Sequence, residues 1–142
     1  MVSTRRRQPV DQRTLGYVVV GGALGVLARA ALLSPIDDAE LVPWATLVVN
    51  VAGSLLLGIV VGAIGDRRPH ARAFLGTGLL GGFTTYSAFA VETALWLTTP
   101  WLAAGLAAAS VIAGVIGAIA GLITGRWLSR RPVGDPETGE AE

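Results

Sequence analysis

The chain has 142 residues, 52% of them hydrophobic and 15% charged, with a formal net charge of +1 and a mean hydropathy of +0.60. A soluble domain spreads its charges along its length, whereas here long stretches carry almost none, which puts the chain among integral membrane proteins with no nucleic-acid partner expected. There is no cysteine, so a disulfide framework, thiolate catalysis and a zinc–thiolate site are excluded.

In chain order, residues 1–13 form a basic tail with Arg5, Arg6, Arg7 and Arg13, expected to be cytoplasmic. A first apolar span is predicted over 15–33, with Arg29 as its only charge, closed by Ser34-Pro35 and the acidic loop Asp37, Asp38, Glu40. Ala28-Arg29-Ala30 resembles a signal-peptide cleavage site, but the Arg and the further spans oppose cleavage. The second span, 43–64, opens on Pro43, a favoured first helical position, and carries Asn50 and Ser54 among apolar residues. A basic loop follows with Arg67, Arg68, His70 and Arg72, where His70 is expected to be solvated and without a role. The third span covers 73–97, Thr98-Thr99-Pro100 turns the chain, and the fourth covers 101–128. Residues 129–142 are polar and read as a disordered tail. The membrane domain is therefore 14–128.

Four spans put both termini and the second loop on one side, and that side holds every Arg except Arg29. By the positive-inside rule it is the cytoplasmic side of a cell membrane, with the chain multi-pass. Trp44, Trp96 and Trp101 mark one interface and Trp127 the other. Small residues recur at every fourth position, as in Gly21-xxx-Gly25, Gly58-xxx-Gly62, Gly78-xxx-Gly82 and Gly117-xxx-Gly121-xxx-Gly125, and are read as close helix packing.

The third span is the unusual one. Its centre, Gly81-Gly82-Phe83-Thr84-Thr85-Tyr86-Ser87-Ala88-Phe89, joins a glycine pair, three hydroxyls besides the tyrosine's, and aromatics, with Glu92 just beyond. Glycine costs about 1 kcal/mol against alanine inside a helix, and Thr hydroxyls compete for backbone partners. A break at the glycine pair is predicted, tolerated at membrane depth only inside protein or along a watery path. Gly76-x-Gly78-x-x-Gly81 also fits the dinucleotide fingerprint, but no strand precedes it and no acid stands about 20 residues on.

Polar groups in a span are candidates for function. Asn50 offers two N–H donors, and Thr84, Thr85, Ser87 and Ser110 offer hydroxyls. Tyr86 and Phe89 lie three apart, so that ring edges could meet an anion. Arg29 either snorkels or draws anions into a vestibule, and Glu92 either pairs with a cation or caps a polar network. This donor-rich inventory suits a small anion. Carbonyls at a broken helix suit an alkali cation. The chemistry leaves the anion unnamed.

Gly21-Gly22-x-x-Gly25-x-x-x-Arg29, Asn50-x-x-Gly53-Ser54 and the Gly81-to-Phe89 stretch together resemble the Fluc (CrcB) fluoride channels over all four spans. The resemblance implies an all-α membrane fold, an antiparallel dimer of four-helix subunits with the third helix broken, and two pores for passive fluoride export. It implies a structural Na⁺ on the dimer axis, held by the carbonyls of Gly81 and Thr84. It implies a fluoride pore with Asn50, Tyr86, Thr85, Ser87, Phe89 and Ser110, and a vestibule at Arg29. Tyr86 departs from the phenylalanine usual in the family, adding a hydroxyl. The strong Arg bias also departs from what a dual-topology homodimer needs, so a heterodimer with an oppositely inserted homologue is expected. The main alternative is a small four-helix drug–proton antiporter, which needs a carboxylate where the first span has Arg29. A structural subunit would not need the polar track, and no nucleophile–base pair suggests an enzyme.

Overall fold

The computed structural model describes residues 11–38, 40–65, 67–85 and 100–130. Helix α1 is Gln12–Leu33 and α2 is Val42–Ile64. The third segment opens with α3, Pro69–Arg72, widens into a π-helix at Ala73–Leu80 and returns to α geometry at α4, Gly81–Phe83. Helix α5 is Pro100–Ser129. Three of these helices are long and apolar enough to cross a membrane: α1, α2, and α5 over Ala104–Ser129. This is an all-helical, multi-pass membrane protein.

Helix α1 starts before the predicted span because Asp11 caps it. The Asp11 carboxylate accepts from the Arg13 backbone N–H at 3.1 Å and from the Thr14 hydroxyl at 2.8 Å, satisfying a donor that a helix start leaves open. The Thr14 bond first, and the Arg13 N–H next, hold the Asp11 carboxyl below its usual value. Helix α2 has Pro43 in its first turn and stops at Gly65, whose φ of 54° suits glycine.

The helices pack as two pairs: α1 on the π segment and α4, and α2 on α5. The third segment also rests on α2, while α1 and α5 do not touch. Few side chains are buried: Val49 and Leu80 are the buried apolar residues among those described, and Thr46, 1% exposed, is the most enclosed. Backbones meet instead. A Cβ on Gly25 would overlap the Leu79 carbonyl, and one on Gly82 would overlap the Gly22 carbonyl. Gly58 and Gly62 on α2 meet Ala118 to Arg126 on α5 in the same way. Lipid tails remove the hydrophobic reason for a side-chain core, so close backbone approach carries the packing. Outward, Leu27, Val48, Ile116 and Ile123 stand exposed, as lipid-facing residues do.

The glycine pair does not break the third helix. Gly81 keeps helical angles (φ −65°, ψ −36°), and α geometry continues through Phe83. Gly82 is spent on contact with Gly22, so its missing side chain serves packing and not a change of direction. The helix ends three residues beyond Gly81, at Thr84, whose ψ of 154° is extended.

The ends are polarised as the sequence suggested. His70, in α3, stacks on Tyr17 with ring centroids 5.2 Å apart and lies 3.5 Å from the Thr14 hydroxyl. It is exposed, as expected, and it also meets α1, because α3 folds back onto the first turns of that helix. The Ser129 hydroxyl donates to the Ala63 carbonyl at 2.8 Å. The start of α1 and the ends of α2 and α5 thus share one end, with Arg13, Arg67, Arg68, Arg72, Arg126 and Arg130. The loop with Asp37, Asp38 and Glu40 lies at the other end of α1 and α2.

Candidate functional site

The end of α4 leaves backbone groups without helical partners, and the neighbouring helix takes them up. Thr84 closes back on its own turn: its N–H and its hydroxyl both donate to the Leu80 carbonyl at 3.0 Å. Thr85 is held by Asn50. Its N–H donates to Asn50 Oδ1 at 2.8 Å, and Asn50 Nδ2 donates to the Thr85 carbonyl at 3.1 Å. The amide thus pairs with a peptide unit as one strand pairs with another, and the two bonds fix which way the amide points. Only a carboxamide supplies donor and acceptor in that arrangement. Gly53 completes the fit, since a Cβ there would overlap the Thr84 methyl. The Asn50-x-x-Gly53 spacing therefore accommodates the break from the α2 side.

Beside this joint, a groove of about 420 Å³ runs between α2 and α5, with Asn50, Ser54, Thr84, Thr85 and Ser110 on its walls. Four of these were expected from sequence. Ser54 was not singled out, although it stands one helical turn from Asn50 and continues the row Thr46, Asn50, Ser54 on one face of α2. Opposite it, Gly114 keeps the groove open, with a Cβ position 3.4 Å from Ser54 Oγ.

The groove has a definite chemical character. The Thr84 hydroxyl proton is committed to Leu80. The Ser54 and Ser110 hydroxyls and the second N–H of Asn50 make no hydrogen bond among the described residues. Among the described residues its walls carry no charged side chain. Neutral donors in an otherwise apolar, low-dielectric cleft favour a small anion that accepts strong hydrogen bonds.

Arg29 does not line this groove. It is half-buried in α1, and its Nε is enclosed without a hydrogen-bond partner among the described residues. Gly81 lies outside the groove wall as well. The Thr85 N–H, which would close on the Gly81 carbonyl in a continued helix, turns to Asn50 instead. Tyr86, Ser87, Phe89 and Glu92 lie outside the described residues.

The chain is similar in sequence to several known proteins. Over 112 residues the chain is 49% identical to fluoride-specific ion channel FluC 2 of Bacillus subtilis, covering 77% of this chain and 85% of that one. It is 45% identical over 104 residues to fluoride-specific ion channel FluC of Novosphingobium aromaticivorans, covering 68% and 82%. With fluoride-specific ion channel FluC 1 of Mycobacterium bovis it shares 48% identity over 87 residues, 58% of this chain and 66%, just under two thirds, of the relative. The family model described as "CrcB-like protein, Camphor Resistance (CrcB)" matches residues 16–122. That match spans most of α1, α2 with Asn50, the third segment and most of α5, and the chain belongs to the CrcB-like family.

Proposed function

We propose that the chain is a fluoride-selective channel and that the α2–α5 groove is part of its conduction path, exporting fluoride passively and so relieving its toxicity. The observation that carries this reading is the set of uncommitted neutral donors, the second N–H of Asn50 Nδ2, Ser54 Oγ and Ser110 Oγ, on one cleft. The fluoride-specific names of the relatives supply the identity of the ion. Fluoride is the smallest halide and the strongest hydrogen-bond acceptor among them, so short-reach hydroxyl and amide donors discriminate in its favour over chloride. Thr85, Tyr86, Ser87 and Phe89 continue the path beyond the break, Glu92 belongs to a supporting network, and Arg29 raises the local anion concentration at a vestibule.

The channel works as an antiparallel pair of four-span subunits, with both termini of this chain cytoplasmic. A groove open along one side of a single subunit supports the need for a second. The Arg-rich end favours a heterodimer with an oppositely inserted homologue. The carbonyls of Gly81 and Thr84, at a helix end, are oxygen donors of the kind that suit a structural Na⁺ at the subunit axis.

Proteoliposomes containing the chain, loaded with potassium fluoride and potassium chloride and read by two ion-selective electrodes, test the reading. Fluoride release without chloride release is expected once a potassium ionophore is added, either from the chain alone or with a co-expressed homologue. Equal release of both ions, or silence in both preparations, would overturn it. Replacing Asn50 with Asp puts a negative charge on the path and is expected to abolish release.

A further inference from the structure

A second groove, of about 700 Å³, lies between α1 and the π segment at the Arg-rich end, away from Asn50. Its lining is graded. Arg13 stands in the first turn of α1, Gly16 and Tyr17 one turn on, and Val20 with Phe74 deeper still. From Arg13 to Val20 the helix rises about 10 Å. A phospholipid presents the same gradient over a similar distance, from phosphate through glycerol to acyl chain. We propose that this groove is a specific site for an anionic phospholipid, with the phosphate at Arg13 and an acyl chain along Gly16, Val20 and Phe74.

Four observations support this occupant. The Arg13 guanidinium makes no ion pair among the described residues; the nearby Asp11 carboxylate is engaged by the Thr14 hydroxyl and the Arg13 backbone N–H. Arg67, Arg68 and Arg72 at the same end add positive potential. Gly16 leaves a dent, with no atom within 4 Å of where its Cβ would stand. The Tyr17 wall is set in advance, because its ring rests on His70, which in turn approaches Thr14. Little ordering is then left for the ligand to impose. Bulk lipid tails are as apolar as the groove, so selectivity comes from the headgroup. One arginine near the membrane surface corresponds to about a fivefold preference for anionic lipid.

The test is native mass spectrometry of the full chain, in its assembled state, after reconstitution in equal amounts of phosphatidylglycerol and phosphatidylcholine with identical acyl chains. The unaltered protein is expected to retain phosphatidylglycerol about fivefold over phosphatidylcholine. Arg13→Gln should remove the preference while leaving some lipid of both kinds bound. Gly16→Leu, whose side chain enters open space, should expel both. Arg130→Gln, at the same end but off the groove, should keep the preference. No preference in the unaltered protein, or an Arg13→Gln profile identical to it, would contradict the proposal. So would a Gly16→Leu variant that changes oligomeric mass but keeps its lipid, since a second protein chain would then be the occupant.

Discussion

Two halves of one row on α2 behave in opposite ways. Thr46, Asn50, Ser54, Gly58 and Gly62 recur every fourth residue and share a face of the helix. In the lower half, Gly58 and Gly62 bring α2 against the backbone of α5 around Gly121 and Gly125, with no room for a methyl group. In the upper half the same face meets α5 across an open groove, where Asn50 and Ser54 oppose Ser110 and Gly114. One spacing therefore seals the helix pair or opens it, depending on whether the residues are hydrogen or hydrogen-bonding groups. The sealed half holds the open half at a fixed width.

The sealed half is the place where that contrast breaks most severely. Gly121→Leu forces a side chain into the Leu55 carbonyl, where neighbouring backbone, including the Ile59 amide at 3.0 Å from the Cβ position, cannot give way. A loss above about 4 kcal/mol is expected, read as disappearance of the monodisperse peak in detergent; a melting temperature within a few degrees of the unaltered protein would mean that the seam is not close-packed.

Next in size is Asn50→Ala, which removes both Asn50 hydrogen bonds to the Thr85 peptide. With two hydrogen bonds lost at about 1 kcal/mol or more each, fluoride release should fall at least tenfold. If release is unchanged, the joint does not organise the path. Smaller effects sharpen the upper half. Ser54→Ala and Ser110→Ala each remove one uncommitted donor with almost no change in shape, and each should reduce release about fivefold with thermal stability unchanged. A fall in stability with normal release would make these hydroxyls structural.

The smallest expected effect lies off the row. Asp11→Ala removes the cap of α1 and should lower the melting temperature slightly at neutral pH. Because the folded carboxyl titrates below its ordinary value of 3.8, the cap is at full strength above that value. Its contribution is lost as pH falls through the lowered one, so the difference between Asp11→Ala and the unaltered chain should vanish in strong acid. A gap that persists there would rule out the carboxylate as its source.

Much of this was legible because it depends on local pattern. Charge-free stretches marked α1, α2 and α5, and fourfold glycine spacing marked both seams. Asn50 stood out as a costly polar group in an apolar span. What needed the folded chain was the choice among several weak helix positions. Gly81-Gly82 looked like the break, yet α1 lies over Gly82 and keeps that turn helical; the helix ends instead at Thr84, where Gly53 makes room and Asn50 offers a substitute partner. The π-helix at Ala73–Leu80 leaves no pattern in a sequence of small and apolar residues. Ser54 was visible as a polar residue in an apolar span, but only the cavity beside Gly114 gives it a place in the site. The stacking of His70 on Tyr17 joins residues 53 positions apart and has no local signature.

The central claim is that ions pass through the α2–α5 groove. Gly114→Leu is its most direct test, because the Cβ makes an ordinary 3.4 Å contact with Ser54 Oγ and the rest of the side chain fills the cleft. Gly105→Leu on the same helix, where a Cβ meets nothing within 4 Å, serves as the control. Fluoride release from proteoliposomes should be lost in Gly114→Leu and retained in Gly105→Leu, with both variants folded. Undiminished release through Gly114→Leu would contradict the account, since the ion would then be taking another route.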